Sequence, residues 1–379
     1  MTRALFAATV PETLKGFILP FAEHFRAQGW RVDGMAQGIS GCSGCTAAFD
    51  RVWDVAWSRN PYEGKNLLQV PGAVREAVAS GGYDLVHVHT PVASFVTRFS
   101  LRSLDRKLRP KVIYTAHGFH FYRGGSRLRN GLYLALEKLA GRWTDYLVVM
   151  NQEDLESAKK YRIVPPERVT YMPGIGVDTA YYSPGLVGAG ELEGVRGEMG
   201  LQPEDRLFLM IAEFIPRKRH EDVLRAFASL DHPGAHLAFA GTGPLAEQMG
   251  SLAAELKLEK RVHFLGFRRD IPTLLKASAA VVLPSVHEGL PRSLMEALCL
   301  EVPCIGSNIR GTSDLLAGNR GLLVRVGDVE GLRCAMAWIL ENPGLAREMA
   351  ARGKARMADY DIHNIIHMHE ALYSRALAG

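Results

Sequence analysis

Two glutamates, Glu288 and Glu296, flank a segment whose residue types suit an anionic ligand. The segment follows an apolar run and leads into a helical pattern, and Pro291 suits the first helical position, where its missing N–H costs nothing. The free amides of Arg292 and Ser293 would then lie at the helix N-terminus, which favours phosphate. Carboxylates on both sides of such a helix end predict a ligand with hydroxyl groups on both sides of a diphosphate, as in a nucleotide sugar. The alternative is a pair of solvated glutamates on an ordinary helix.

The chain that must position these residues has 379 residues, which favours two domains over one. Its composition, 47% apolar and 22% charged, is that of a globular protein. No apolar run reaches the ~18–20 residues of a membrane span. Residues 1–10 are interpreted as a buried strand and not as a signal peptide, so a cytoplasmic location is expected. Cys42 and Cys45 form a CxxC pair that we interpret as free thiols in a glycine-rich loop, with a metal or redox site as the alternative.

Strands and helices alternate along the chain, which predicts βαβ units and parallel sheets. A break rich in Gly and Pro lies between residues 173 and 194, and the alternation then starts again. The sequence therefore predicts an α/β protein with two doubly wound domains that face each other across a ligand-binding cleft. Strands are predicted at 4–9, 32–36, 85–89, 112–116 and 147–150 in the first domain, and at 207–212, 237–240, 262–265, 280–283, 302–305 and 321–324 in the second. A helix is predicted at 17–28, after a loop that ends at Gly16.

The Glu288–Glu296 segment resembles the E-x7-E motif of the retaining GT-B glycosyltransferases of family 4, also called group 1. Further segments resemble the same family in the same order: the Gly16 loop, 86–89, 115–118, 173–178, 241–244, 264–266 and 321–328. This resemblance implies a GT-B fold of two Rossmann-like domains, with an acceptor domain at 1–182, a donor domain at 183–360 and a C-terminal helix at 361–379 that returns to the first domain. It also implies that Glu288 contacts the donor sugar, that Glu296 contacts the ribose, and that no metal or other cofactor is needed.

The same resemblance implies further donor-site residues. Gly16 would let the backbone approach the donor phosphates, and His117 would lie near the reacting centre. The family commonly has an Arg and, five residues on, a Lys that clamp the diphosphate, but this chain has Glu213 and Lys218 at these positions. Arg217 or Arg219 is expected to supply the missing charge. The full expected donor set is Gly16, Arg217, Lys218, Gly243, Gly266, Glu288, Gly289, Leu290, Pro291, Arg292, Ser293 and Glu296, with His117, Glu288 and Lys218 as the catalytic residues.

The acceptor is expected on the first half of the chain, where residues 1–180 carry 23 Lys and Arg against 16 Asp and Glu. His120, Arg123 and Arg127 are the predicted acceptor-side residues. The basic stretch between Arg98 and Lys111, which includes leucines, predicts a basic amphipathic helix that contacts an anionic membrane surface or polyprenyl diphosphate. The alternative is a solvated helix with its leucines in the core. We expect no nucleic acid partner, because no helix-turn-helix or aromatic-plus-basic module is present. His87 and His89 are expected to face opposite ways and to be structural.

The predicted activity is transfer of a hexose or N-acetylhexosamine from a UDP-sugar to a sugar acceptor carried on polyprenyl diphosphate, in the assembly of surface polysaccharides or glycans. The resemblance is to the branch of the family that builds capsule, exopolysaccharide and lipid-linked glycans. Two alternatives remain at this point. One is an enzyme like the UDP-N-acetylglucosamine epimerases that share the GT-B architecture, and the other is a non-catalytic sugar-nucleotide-binding protein.

Overall fold

A computed structural model describes residues 1–58, 60, 63–105 and 109–378. The chain forms two compact units, one of residues 1–175 with the segment from His363 onward, and the other of Gly176–Ile362. The units thus divide before the predicted boundary at 182. The reason is that Val177 and Tyr182 are buried in the core of the second unit, where the Val177 amide donates to the Tyr360 carbonyl at 2.9 Å.

The first unit is built on a seven-stranded sheet with the order β3-β2-β1-β4-β5-β6-β7, in which all neighbouring strands are parallel. The five inner strands are largely buried, as is expected of a parallel sheet covered on both faces, whereas the two edge strands are half-buried or exposed. They are β1 (Arg3–Ala7), β2 (Arg31–Ala36), β3 (Val52–Asp54), β4 (Leu85–His89), β5 (Lys111–Ala116), β6 (Tyr146–Val149) and β7 (Val169–Tyr171). The helices are α1 (Pro11–Phe17), α2 (Leu19–Ala27), α3 (Ser43–Ala48), α4 (Lys65–Leu68), α5 (Val70–Gly81), α6 (Pro91–Leu101), α7 (Arg127–Gly141) and α8 (Gln152–Lys160).

The second unit is built on a six-stranded parallel sheet with the order β10-β9-β8-β11-β12-β13. Its strands are β8 (Arg206–Ile211), β9 (Ala235–Ala240), β10 (Val262–Gly266), β11 (Ala280–Leu283), β12 (Cys304–Ser307) and β13 (Leu322–Val324). Its helices are α9 (Ala189–Glu198), α10 (His220–Ala228), α11 (Ala246–Glu255), α12 (Ile271–Lys276), α13 (Arg292–Cys299), α14 (Thr312–Leu316), α15 (Val329–Glu341) and α16 (Pro343–Met357), and α17 (Ile362–Ala378) follows. The predicted α/β class and both parallel sheets are confirmed.

Each sheet reverses its strand order once, between β1 and β4 in the first unit and between β8 and β11 in the second. Ligands of open α/β sheets bind outside the carboxyl ends of the strands at such a switch point. In the first unit, the loops that follow β1 and β4 are joined there by the hydroxyls of Thr9 and Thr90, which are 2.7 Å apart. These two points of reversal are therefore where the predicted site residues have to be located.

The helix predicted at 17–28 was wrong in its start. Helix α1 begins at Pro11 and α2 begins at Leu19, so Gly16 lies in the last turn of a helix and not in a loop. Proline at the first turn of both helices explains their starts, since its fixed φ suits that position. Strands β3 and β7 were missed, since each has only three residues and none of them is buried, so neither leaves an apolar run in the sequence.

Candidate functional site

The carboxylate of Glu288 is buried against the ammonium of Lys218. Glu288 lies in the loop after β11, and Lys218 ends a 3-10 turn, Pro216–Lys218, in the loop after β8. Lys218 Nζ lies 2.5 Å from Glu288 Oε1, and their side chains are only 13% and 9% exposed. The two loops are joined by their backbones as well, because the Val286 amide donates to the Arg217 carbonyl at 2.8 Å. The structure thus brings two of the predicted residues together at the switch point of the second sheet.

A second cation approaches the same carboxylate. Arg217 Nη1 lies 3.9 Å from Glu288 Oε2 and donates to the His287 carbonyl at 3.1 Å. The Arg217 side chain is 47% exposed, so its guanidinium is reachable from solvent. The Glu288 carboxylate therefore has two cations beside it, more positive charge than it neutralises, and this local excess favours the approach of an anion.

Arg219, the other candidate for the missing charge, is paired with a buried carboxylate. Its backbone is left-handed, with φ of 59°, and it directly precedes α10. Its guanidinium binds Asp222 through two contacts, Nε to Oδ2 at 2.5 Å and Nη2 to Oδ1 at 2.7 Å, and Asp222 is buried. Of the two arginines, it is therefore Arg217 that lies beside Glu288, and Glu213 is exposed in the loop after β8.

Glu296 lies within α13 and is buried, and Arg292 Nε donates to its Oε1 at 2.8 Å. The Tyr182 hydroxyl is a second partner of this carboxylate. Burial raises the pKa of Glu296, while Arg292 and Tyr182 act in the opposite direction. Burial and the neighbouring carboxylate likewise raise the pKa of Tyr182. Tyr182 was not predicted as a site residue, because it lies in the break rich in Gly and Pro between residues 173 and 194.

The helix start between the two glutamates differs by one residue from the prediction. Pro291 is extended, with ψ of 112°, and precedes the helix, so Arg292 is the first helical residue and Ser293 the second. Both are half-buried. The amides at the beginning of α13 are thus those that the sequence predicted. The side chain of Arg292 runs one turn along the helix to Glu296.

The loop that carries Glu288, Gly289 and Leu290 is held by the loop after β12. Gly311 there has φ of 74°, and a methyl group on it would lie 2.0 Å from the Gly289 carbonyl oxygen, so only glycine permits this approach. The preceding Arg310 is buried, and its guanidinium hydrogen-bonds the His287 ring. Neither Arg310 nor Gly311 was predicted to support the site. A glycine shortly after a predicted strand was the one available signal.

Gly243 is likewise required by a close backbone approach. A methyl group on it would lie 2.7 Å from both the nitrogen and the oxygen of Phe214, in the loop after β8. Gly266, at the end of β10, has φ of 62° and accepts a 2.7 Å hydrogen bond from the Gly241 amide. Backbone packing thus accounts for Gly243, and a ligand contact at Gly243 or Gly266 stays a prediction.

In the first unit, His117 follows β5 and belongs to a cluster of histidines. His117 Nε2 lies 3.0 Å from His89 Nδ1, and the rings of His89 and His87 are 4.2 Å apart. The expectation that His87 and His89 face opposite ways was wrong, because residues two apart in a strand lie on the same face. His87 is buried and hydrogen-bonds the hydroxyls of Tyr373 at 2.5 Å and Thr115 at 2.7 Å, which supports a structural role.

The fourth histidine of this cluster, His369 of α17, hydrogen-bonds the Ile365 carbonyl through Nδ1 at 2.8 Å. Burial lowers the pKa of His369 and of His117 to about 4. It also lowers the pKa values of His87 and His89 well below the ordinary value, and neighbouring histidines add to this effect. The cluster is therefore neutral at neutral pH, so His117 offers a neutral imidazole.

The predicted acceptor residues lie near the start of α7. His120 is exposed, and its ring centroid lies 5.2 Å from that of Tyr133. Arg123 is exposed and contacts Glu156 at 2.5 Å, while its amide donates to Glu153 at 2.8 Å. Arg127 is the exposed first residue of α7.

The basic helix predicted between Arg98 and Lys111 was wrong. Helix α6 ends at Leu101, and Lys111 already belongs to β5. Arg98 is only 1% exposed and pairs with Glu137 at 3.3 Å. Arg106 and Lys107 of this stretch, like Arg59, lie outside the described residues. Throughout the described ranges, every helix is too short or too polar to serve as a membrane span.

The two arginines that flank Lys218 should differ in their effect on stability. Arg219→Ala leaves the buried Asp222 carboxylate without its bidentate partner, so we expect a loss of about 1–3 kcal/mol in the free energy of unfolding. Arg217→Ala removes a half-exposed side chain and should change stability by less than about 0.5 kcal/mol. Urea unfolding of both variants measures the difference, and equal effects would contradict the assignment.

The histidine cluster predicts a loss of stability in acid. Because the folded pKa of His369 lies near 4 and its ordinary value near 6.5, the unfolded chain binds the proton first, so stability falls as the pH drops through this window. We expect His369 to account for about 2 kcal/mol between neutral pH and about pH 5. Urea unfolding at both pH values should show that the free energy of unfolding depends less on pH in His369→Asn than in the wild type. The control is His367→Asn, which changes an exposed histidine on the same helix. An unchanged dependence in His369→Asn would overturn this view.

The chain matches two families of known proteins. Residues 17–181 match the family described as Glycosyltransferase Family 4, and residues 194–356 match Glycosyl transferases group 1. A Bacillus subtilis protein that is named as a glycosyltransferase, EpsD, is 31% identical over 355 residues, which are 93% of this chain and 91% of that protein. The UDP-Gal:alpha-D-GlcNAc-diphosphoundecaprenol alpha-1,3-galactosyltransferase of Escherichia coli is 29% identical over 266 residues, which are 69% of this chain and 67% of that protein.

Solved structures share the fold at low sequence identity. HepE of Anabaena, solved in complex with UDP and glucose, superposes with a TM-score of 0.81 at 19% identity. The superposition covers 99% of this chain and all of HepE. The sucrose-phosphate synthase of Thermosynechococcus elongatus superposes with a TM-score of 0.83 at 20% identity, with both chains fully covered. With its two parallel-sheet units and its match along nearly the whole of a named glycosyltransferase, the chain belongs to the GT-B glycosyltransferases of family 4, group 1.

Proposed function

We propose that this glycosyltransferase moves a hexose or an N-acetylhexosamine from a UDP-sugar to a hydroxyl group of an acceptor sugar, with retention of the anomeric configuration. The observation that carries the proposal is the Lys218–Glu288 pair with Arg217 beside it, at the carboxyl ends of β8 and β11. The site offers what the donor needs: cations for a diphosphate and a carboxylate for sugar hydroxyls.

On the donor side, Lys218 and Arg217 are proposed to bind the diphosphate, whose negative charge grows as the bond to the sugar breaks. Fixed cations at the place where charge develops are often the largest contribution to catalysis. A donor phosphate that reaches Lys218 would share it with Glu288, which leaves Glu288 Oε2 available to a sugar hydroxyl. Buried Glu296, oriented by Arg292 and Tyr182, is proposed to accept a hydrogen bond from the ribose.

The ion pair also bears on the route of transfer. Glu288 is held by Lys218 at 2.5 Å, and a carboxylate so engaged is a poor covalent nucleophile. We therefore favour transfer on one face of the sugar. The bond between the anomeric carbon and the β-phosphate oxygen breaks, the bond to the acceptor oxygen forms on the same side, and the acceptor proton passes to the departing diphosphate. A contact of neutral His117 with the donor sugar or diphosphate, and the approach of backbone to phosphate near Gly16, stay predictions.

The acceptor is proposed to be a sugar linked to polyprenyl diphosphate. Support comes from the name of the Escherichia coli relative, which specifies a UDP-linked donor and an acceptor on diphosphoundecaprenol. The complexes of HepE with UDP and with UDP-glucose support a UDP-sugar as the donor. His120, Arg123 and Arg127 remain the candidates for acceptor contacts, and no metal or other cofactor takes part in the proposed reaction.

A screen of thermal unfolding with UDP-, GDP- and ADP-sugars tests the donor. A ligand that binds only the folded state raises the unfolding midpoint, and we expect this with UDP and UDP-sugars. Lys218→Ala should abolish most of the shift, because it removes the buried cation that we assign to the diphosphate. The proposal fails if no nucleotide sugar raises the midpoint of the wild-type protein.

Glu288→Gln tests the sugar contact. The variant should lower transfer to a polyprenyl-diphosphate-linked sugar by about 100-fold, because the charge at the sugar is lost while the shape is kept. Binding of UDP alone should stay close to that of the wild type. Glu221→Gln, in an exposed pair with Arg225 on α10, is the matched control and should be fully active. Full activity of Glu288→Gln would contradict its role, and UDP-sugar turnover without any acceptor would indicate an epimerase instead.

A further inference from the structure

The outward face of α7 consists only of apolar and basic residues, apart from one glycine. Leu128 is 85% exposed and Leu132 is 49% exposed, and exposed apolar side chains carry information when they form a continuous patch. Leu136 and Leu139 are also exposed, so the four leucines lie at positions i, i+4, i+8 and i+11 and form one stripe along the helix. The complete set of exposed residues in α7 is Arg127, Leu128, Arg129, Gly131, Leu132, Ala135, Leu136, Lys138 and Leu139.

The rotation of α7 about its axis is fixed, so these leucines cannot turn inward. The one acidic residue of the helix, Glu137, lies on the opposite side, where it accepts hydrogen bonds from Tyr114 at 3.0 Å and from Arg98 at 3.3 Å. At the end of the helix, Gly141 packs so closely that a methyl group on it would lie 1.9 Å from the Ile163 carbonyl oxygen. Glu137 is therefore engaged on the inner side of α7, and the leucines and cations of the helix face solvent.

Cations continue beyond the leucine stripe. A surface groove runs between the end of α7 and the loop at 162–166, and apolar and basic side chains line it together: Lys138, Leu139, Arg142, Arg162, Pro165 and Pro166. Arg142 is exposed like Lys138. The face is therefore both apolar and positively charged over more than the helix itself.

We propose that this face of α7 binds the surface of an anionic lipid bilayer. A helix with an apolar stripe flanked by Lys and Arg lies in the plane of a membrane, with its leucines at the boundary of headgroups and acyl chains and its cations among anionic headgroups. Because the face is positively charged, we expect it to bind an anionic bilayer more strongly than a neutral apolar surface. The reason for such binding rests on the proposed function, because an acceptor linked to polyprenyl diphosphate is presented at a bilayer.

Co-sedimentation of the full-length protein with vesicles tests the proposal. One set of vesicles contains phosphatidylcholine alone, and the other contains phosphatidylglycerol as well. The wild type should bind the second set at least about tenfold more strongly, and added salt should weaken this binding. Leu128→Glu/Leu132→Glu should reduce binding by about tenfold or more, because both side chains lose their apolar contact and add repulsion. Both residues are exposed, so the variant should fold normally.

The matched control is Leu186→Glu/Leu345→Glu, which changes two leucines of the second unit that are 66% and 52% exposed. It should bind vesicles as the wild type does. The proposal is overturned if the wild type does not prefer anionic vesicles, or if the α7 variant binds them unchanged. It is also overturned if sedimentation velocity shows a wild-type dimer that the α7 variant converts to a monomer, since the face would then join two copies.

The same variants separate this inference from the proposed function. The α7 double variant should keep the UDP-dependent shift in unfolding midpoint and the transfer to a water-soluble acceptor analogue. Loss of vesicle binding with both of these intact supports the assignment of α7. If vesicles bind but no UDP-sugar does, the proposed function fails and the surface assignment stands.

Discussion

The site in the second unit depends on one buried ion pair, between Lys218 and Glu288. Moving two charges out of water is costly, and their attraction offsets this cost only when the geometry is good and other hydrogen bonds are made. The backbone bond from Val286 to Arg217 supplies that geometry, because it joins the two loops on which the charges are carried. Such a pair is weak evidence for stability. In the function that we propose, the pair keeps an ammonium group at a fixed place in a largely buried site, where a donor phosphate would compete for it.

The neighbouring loops fix the positions of Lys218 and Glu288. Neighbouring strands β8 and β11 bring the two loops to one point, but strands alone do not fix the position of a loop residue. The close approach of Gly311 to Gly289 and that of Gly243 to Phe214 do so, because each leaves no room for a side chain. Glu288 is thus held from one side by the loop after β12, while the loop with Lys218 is held by the loop after β9. Rigid support of this kind is what a charged binding site requires.

The fold and the residues of the Glu288–Glu296 segment could be predicted from the sequence because both leave local signals. Alternating strands and helices specify parallel sheets, and a proline followed by an amphipathic pattern marks a helix start. Contacts between distant residues leave no such signal. Tyr182 reaches Glu296 from a segment that looks like a linker, and Arg310 supports His287 across more than twenty residues of chain. The error at His87 and His89 had another cause, since the two-residue period of a strand already requires them to share a face.

Arg98 and α7 show why charge counts predict surfaces poorly. The excess of Lys and Arg in the first 180 residues was assigned to the stretch that begins at Arg98, because basic residues are dense there. Arg98 is not on the surface, because it is buried and pairs with Glu137. Glu137, the one acid of α7, stands on the inner side of the helix, where it accepts hydrogen bonds from Arg98 and Tyr114. The exposed residues of α7 therefore include cations and no acid. On α7, the charge of the surface thus depends on the position of its one acid as much as on the positions of its cations.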